Sequence, residues 1–96
     1  MEPPAVQTGG NMAKTIRSPG HKALIAALID ARHNAGLSQI ELAKRLKCHQ
    51  SLVARIESGQ RRIDVQELVI LTRALEANPI EIMEIVTSAV PDDDRI

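Results

Sequence analysis

The 96-residue sequence contains no Phe, Tyr or Trp, a single cysteine and a formal net charge of zero. Each absence narrows the field. Without aromatic rings the core must be built from Leu, Ile, Val, Ala and Met, which suits packed helices better than a β-sandwich. The strand-like alternation of β-branched and polar residues is also missing. A lone Cys48 forbids an intrachain disulfide, and a reducing, cytoplasmic setting is the expectation. No run of about eighteen apolar residues exists to cross a membrane, and the start lacks the basic and apolar regions of a signal peptide. Metal and catalytic chemistry are poorly supplied. His21, His33, His49 and Cys48 are the only soft ligands, with no second pair at zinc spacing. A Cys-His catalytic pair would need its side chains to converge in a pocket, and Cys48 with His49 sits at a turn. No Gly-rich phosphate loop is present. Neither an enzyme nor a cofactor is expected.

The zero net charge conceals a strong asymmetry. Residues 14–62 carry ten Lys/Arg against three acids, a net of +7. Residues 64–96 carry eight acids against two arginines, a net of −6, and Glu2 accounts for the rest. A polyanion responds to local potential, so a basic half keeps nucleic acid open as a partner.

Residues 1–20, with Pro3, Pro4, Pro19, Gly9, Gly10 and Gly20, show no apolar periodicity and read as a disordered tail. Lys14 and Arg17 there could track phosphates, though a solvated tail is the plainer reading. The folded domain is expected over residues 21–90, with an acidic tail at 91–96. A first helix spans His21 to Ala35, with Leu24, Ile25, Leu28 and Ile29 as its stripe and Gly36 as its stop. A second follows at Gln39–Leu46, with Ser38 and Glu41 forming a capping box and Leu42, Ala43 and Leu46 facing inward. The third, about Gln50–Ser58, opens at His49 or Gln50, buries Val53 and Ile56, and closes on Gly59. Asp64 and Glu67 form another capping box for a fourth helix, Val65–Glu76, with Leu68, Leu71 and Leu75 inward. Asn78 and Pro79 start a fifth helix that runs to about Ala89. The architecture is therefore all-α, five helices and no sheet. Two short helices across a turn this tight form a helix-turn-helix, whose second helix can enter a major groove.

The order S-Q-x-x-L-A-x-x-L, a short turn, then Q-S-x-V-x-R-I-E-x-G resembles the phage-repressor/Cro-like helix-turn-helix (XRE) family. The likeness spans roughly Lys22 to Val86 and implies a five-helix, lambda-repressor-like fold. It also implies a DNA-binding transcriptional regulator, in the main a repressor on an operator. Where the family most often has Gly, this chain has Lys47; a left-handed backbone there costs on the order of 1 kcal/mol. Gln50, Ser51 and Arg55 share the exposed side of the third helix, and the matching family positions reach base edges. Gln suits adenine N6/N7 and Arg suits guanine O6/N7. Ser38, Gln39, Ser58, Arg61 and Arg62 are expected at phosphates, near a helix N-terminus and in the loop after the reading helix. The resemblance further implies a structural ion pair between Arg32 and Glu57.

The fifth helix carries an apolar arc about twice the roughly 100° that covering one domain requires. Ile80, Met83, Val86 and Val90 are expected at a two-fold homodimer interface. An alternative reading makes the chain the antitoxin of a toxin–antitoxin pair, with a toxin as protein partner. Residues 1–20 would have to supply the toxin-binding segment, and they are poor in apolar anchors.

Overall fold

The computed structural model describes residues 17–96. Among these residues there are five helices and no strand: α1 Pro19–Asn34, α2 Gln39–Leu46, α3 Gln50–Glu57, α4 Val65–Leu75 and α5 Pro79–Ala89. The local signals explain most of these limits. Ser38 and Asp64 each accept from the backbone N–H three residues on, and Glu41 and Glu67 bond back to complete both capping boxes. Asn78 Oδ1 accepts from the Ile80 amide, with Pro79 at the first position of α5.

The first helix begins earlier than the composition suggests. Ser18 caps it through a bond from the His21 amide, and Pro19 occupies its first turn. Gly20, expected in the tail, is buried inside the helix. A Cβ at this position would lie 2.7 Å from Val90 Cγ2, so the glycine lets the start of α1 approach the end of α5. These two helices form a long seam, while α2 and α3 pack on each other and α2 reaches α4.

The core is aliphatic. Leu28 from α1, Leu42 and Ala43 from α2, Val53 from α3, Leu68, Leu71 and Leu75 from α4, and Ile82 from α5 form one cluster. Ile25 and Ile56 are also buried, and Leu24, Leu46 and Cys48 are half-buried against the cluster. Ala43 keeps 3% of its surface exposed where α2 meets its neighbours. A longer side chain there would overpack the contact, at about 1–3 kcal/mol. Thr72 is buried among these apolar groups, but its hydroxyl is satisfied within its own helix, donating to the Leu68 and Val69 carbonyls at 2.9 and 3.0 Å.

Two helices end on a non-glycine residue in the left-handed region, Lys47 at φ 58° and Glu76 at φ 54°. The first was foreseeable from the turn; the second was not. In both, the strained residue lets the following amide turn back. Cys48 N bonds the Ala43 carbonyl and Ala77 N bonds the Thr72 carbonyl, satisfying groups the helix leaves open. Lys47→Gly is therefore expected to stabilise the fold by about 0.5–1 kcal/mol, the strain removed outweighing the added freedom of the unfolded chain. Urea unfolding should show this as a higher midpoint at unchanged slope. Glu76→Gly should gain less, because it also removes the exposed Arg45–Glu76 pair at 3.5 Å.

Candidate nucleic-acid interface

The α2–α3 pair is closed by its turn chemistry. Lys47 donates its amide to the Ala43 and Lys44 carbonyls, His49 is extended, and α3 starts at Gln50. His49 makes no side-chain cap bond, so α3 gains little from its own N-terminus. Its eight residues are too few for a stable isolated helix and depend on packing. Val53 and Ile56 supply the apolar part of that packing. At its end Gly59 takes φ 81°, and the Gln60 amide turns back onto the Arg55 carbonyl.

The polar part is a run of side-chain bonds joining three helices. Arg32, near the end of α1, donates from Nε to Glu57 Oε2 at 2.6 Å and from NH2 to Glu57 Oε1 at 3.0 Å. Its NH1 donates to the Leu37 carbonyl at 2.8 Å, holding the α1–α2 loop as well. The two side chains keep only 11% and 9% of their surface exposed. Gln39, at the first position of α2, donates from Nε2 to Glu57 Oε1 at 3.0 Å. The Gln39 carbonyl oxygen in turn accepts from Gln50 Nε2 at 2.7 Å. A nearly dry, two-pronged ion pair thus reaches, through one amide, the first residue of α3.

Gln50, Ser51 and Arg55 are all exposed, on the side of α3 away from Val53 and Ile56. The residues expected at phosphates separate into different roles. Gln39 is engaged at both ends of its amide, so its side chain braces Gln50 instead of standing ready for a phosphate. Arg61 folds back, donating to both Glu67 oxygens at 3.1 and 2.7 Å and to the Arg62 carbonyl at 3.0 Å. That bond, followed by the backbone N–H of Asp64, holds the Glu67 carboxyl below the usual range and raises Arg61. Ser58 donates its hydroxyl to the Arg55 carbonyl. Ser38 is occupied as an acceptor by the Glu41 amide, and its bonds back to Glu41 lower that carboxyl in turn. Arg62 is exposed on the loop after α3.

His21, weighed only as a ligand, lies in the first turn of α1, near enough to Arg62 to feel its charge. Its Nε2 is shielded from solvent with no hydrogen-bond partner among the described residues. Burial first, then the nearby Arg62 charge, lowers its pKa and favours the neutral ring. Among the described residues no group of three His, Cys, Asp or Glu could hold a metal ion. No helix there is long and apolar enough to cross a membrane.

The Arg32–Glu57 geometry sets a quantitative expectation. Removing either partner alone strands the other charge in a dry site, at about 3–5 kcal/mol. Arg32→Met, Glu57→Met and the double variant should show a coupling energy of about 2 kcal/mol by chemical denaturation. A coupling near zero would mean that water shares the site and the pair does not fix α3.

Comparison with known proteins identifies the domain. The helix-turn-helix domain family matches residues 24–84, well over half the chain. Among solved structures, an XRE-family like protein from Pseudomonas syringae pv. tomato str. DC3000 superposes with a TM-score of 0.72 at 36% sequence identity, over 84% of this chain and 99% of that one. No curated protein matches the chain. Both matches fit the all-α arrangement of five helices seen among the described residues. The chain belongs to the XRE-type helix-turn-helix family.

Proposed function

We propose that this protein is a sequence-specific DNA-binding transcriptional repressor that occupies an inverted-repeat operator as a dimer, with α3 in the major groove. The observation that carries the reading is Gln50, exposed at the start of α3 and braced by Gln39, Glu57 and Arg32. A surface glutamine with no task beyond solubility needs no such support. Direct readout requires a side chain whose hydrogen-bonding end is held in register with a base edge. Arg55, just over one turn further along, suits guanine O6/N7, and Ser51 reaches either base type.

Phosphate contacts would set the docking. The amides of Gln39 and Ile40 head α2, ahead of its first backbone bond from Leu42 to Ser38, and suit a phosphate oxygen. Arg62 flanks the other end of the reading helix. Arg61, Gln39 and Ser58 are left out of this set because their side-chain donors serve the fold. The work is binding, with no catalytic step.

The two kinds of contact separate by experiment. Arg55→Ala should cost about 1–3 kcal/mol on the selected site and relax preference at one base pair. Arg62→Ala should weaken all sequences alike and flatten the log-log salt dependence by about one unit. Binding to selected and random duplexes across a salt series reads both. Identical behaviour of the two variants would remove α3 from the groove.

The pairing surface follows from α5. Its Ile82 is buried, while Ile80 and Met83 stay 64% and 47% exposed and Val90 41%. Val86, expected at the interface, is half-buried and lies 3.8 Å from where a Gly20 Cβ would stand, so it belongs chiefly to the seam with α1. Ile80 and Met83 are left as an exposed apolar face suited to self-association, with Val90, which also packs against Gly20 in the seam, at its edge. A two-fold axis through it would place half-sites about 34 Å apart. Sedimentation at micromolar concentration should give a dimer, and Ile80→Glu with Met83→Glu a folded monomer with weakened operator binding. A wild-type chain that is monomeric both free and on DNA would exclude the arrangement. The antitoxin alternative assigned partner binding to residues 1–20. Residues 1–16 of that segment, Lys14 among them, lie outside the described residues.

A further inference from the structure

The run of bonds from Arg32 to Gln50 has a direction, and the direction is imposed by chemistry. Arg32 can only donate and the Glu57 carboxylate can only accept. Gln39 must therefore turn its NH2 to Glu57, as the 3.0 Å contact has it. Its carbonyl oxygen is then the end left for Gln50, and Gln50 must answer with its own NH2, at 2.7 Å. Reversing either amide would set oxygen against oxygen or NH2 against NH2. The Gln50 carbonyl and its second N–H are thus the groups left to face outward.

We propose that Arg32 and Glu57, acting through Gln39, are positioning residues that decide which base Gln50 prefers, although none of the three need touch a base. The proposal rests on the reading of α3 as the base-reading helix. In the major groove adenine offers a donor at N6 and an acceptor at N7, whereas guanine offers two acceptors, O6 and N7. An outward carbonyl beside an outward N–H complements adenine. The opposite amide orientation, with its carbonyl bonded inward and both N–H groups outward, complements guanine. A glutamine without the brace can turn over about its last torsion and accept either base. The brace removes that choice.

Glu57→Gln supplies the inversion. Its oxygen must take the place of Oε2, because the 2.6 Å contact with Arg32 Nε is too short for two donors. Its NH2 then stands where Oε1 accepted from Gln39 and from Arg32 NH2, so the variant gives up the second prong of the ion pair and leaves Arg32 NH2 beside the His33 ring. Gln39 turns over to accept, and Gln50 turns over in its wake. Gln39→Met tests the same relay without disturbing the ion pair, since it changes one side chain in the first turn of α2.

The test measures binding of the full chain to duplexes carrying each of the four bases at every position of a site selected from random DNA. Gln50→Ala first identifies the base pair at which preference is lost. There the wild type should favour adenine over guanine about tenfold, and Gln39→Met should bring the ratio to about twofold. Glu57→Gln should reverse it in favour of guanine. In Gln39→Met, which keeps both Arg32–Glu57 bonds that hold α3, preferences at all other positions should stay as in the wild type, whereas a merely structural role would weaken every position together. Thermal unfolding of each variant accompanies the measurement, and if Glu57→Gln does not fold, Gln39→Met decides alone. An unchanged adenine-to-guanine ratio in folded Gln39→Met overturns the relay while leaving base reading by Gln50 intact. If Gln50→Ala alters preference nowhere, the base reading falls, and the relay with it.

Discussion

The contact on which this structure turns is the two-pronged ion pair of Arg32 and Glu57. Taking two charges out of water costs several kcal/mol per ion, and only near-ideal geometry offsets it. Here both Glu57 oxygens are used, one of them twice, and all three nitrogens of the guanidinium are placed against acceptors or the His33 ring. What the arrangement provides is orientation. Aliphatic packing around Val53 and Ile56 is tolerant of small rotations about the α3 axis, because dispersion and burial are not directional. A bidentate pair at the last residue of α3, with a bonded amide at its first, is not tolerant in that way. The apolar core holds the helix in place and the polar run fixes its rotation.

That division explains the composition. A core of Leu, Ile, Val and Ala has no ring whose shape would fix a helix in register. Small residues such as Ala43 and Gly20 set the close approaches, and charged or amide groups supply direction at the rim. Thr72 adds a buried hydroxyl without demanding a partner from another helix.

Much of this was legible in the sequence because it is local. Both capping boxes, the Asn78–Pro79 start and the inward triad Leu68, Leu71 and Leu75 are short-range signals, and the elements they mark lie within a residue or two of expectation. The α1 boundary was missed because Pro19 and Gly20 read as breakers. Proline at a first helical position is favourable, and Gly20 answers to Val90, seventy positions away in the chain. Arg61 was expected at a phosphate because its loop follows α3 directly, and its bond to Glu67 was not legible because it uses a residue already assigned to a cap. The brace on Gln50 joins residues 11, 18 and 25 positions apart, with no period to mark it. The family resemblance pointed to its Arg32–Glu57 end, and the Ser38–Glu41 box fixed where α2 begins, but nothing local marked the two glutamines as partners.

The tight approach of Gly20 to Val90 gives the molecule a built-in ruler. Because no side chain intervenes, the start of α1 and the end of α5 are spaced by backbone and one valine, a separation that thermal motion of long side chains cannot blur. The far end of α1 carries Arg32 and hence the rotation of α3. The outer face of α5 and the exposed face of α3 are therefore gauged against the same rod, and whatever sits on one is kept at a set distance from whatever sits under the other.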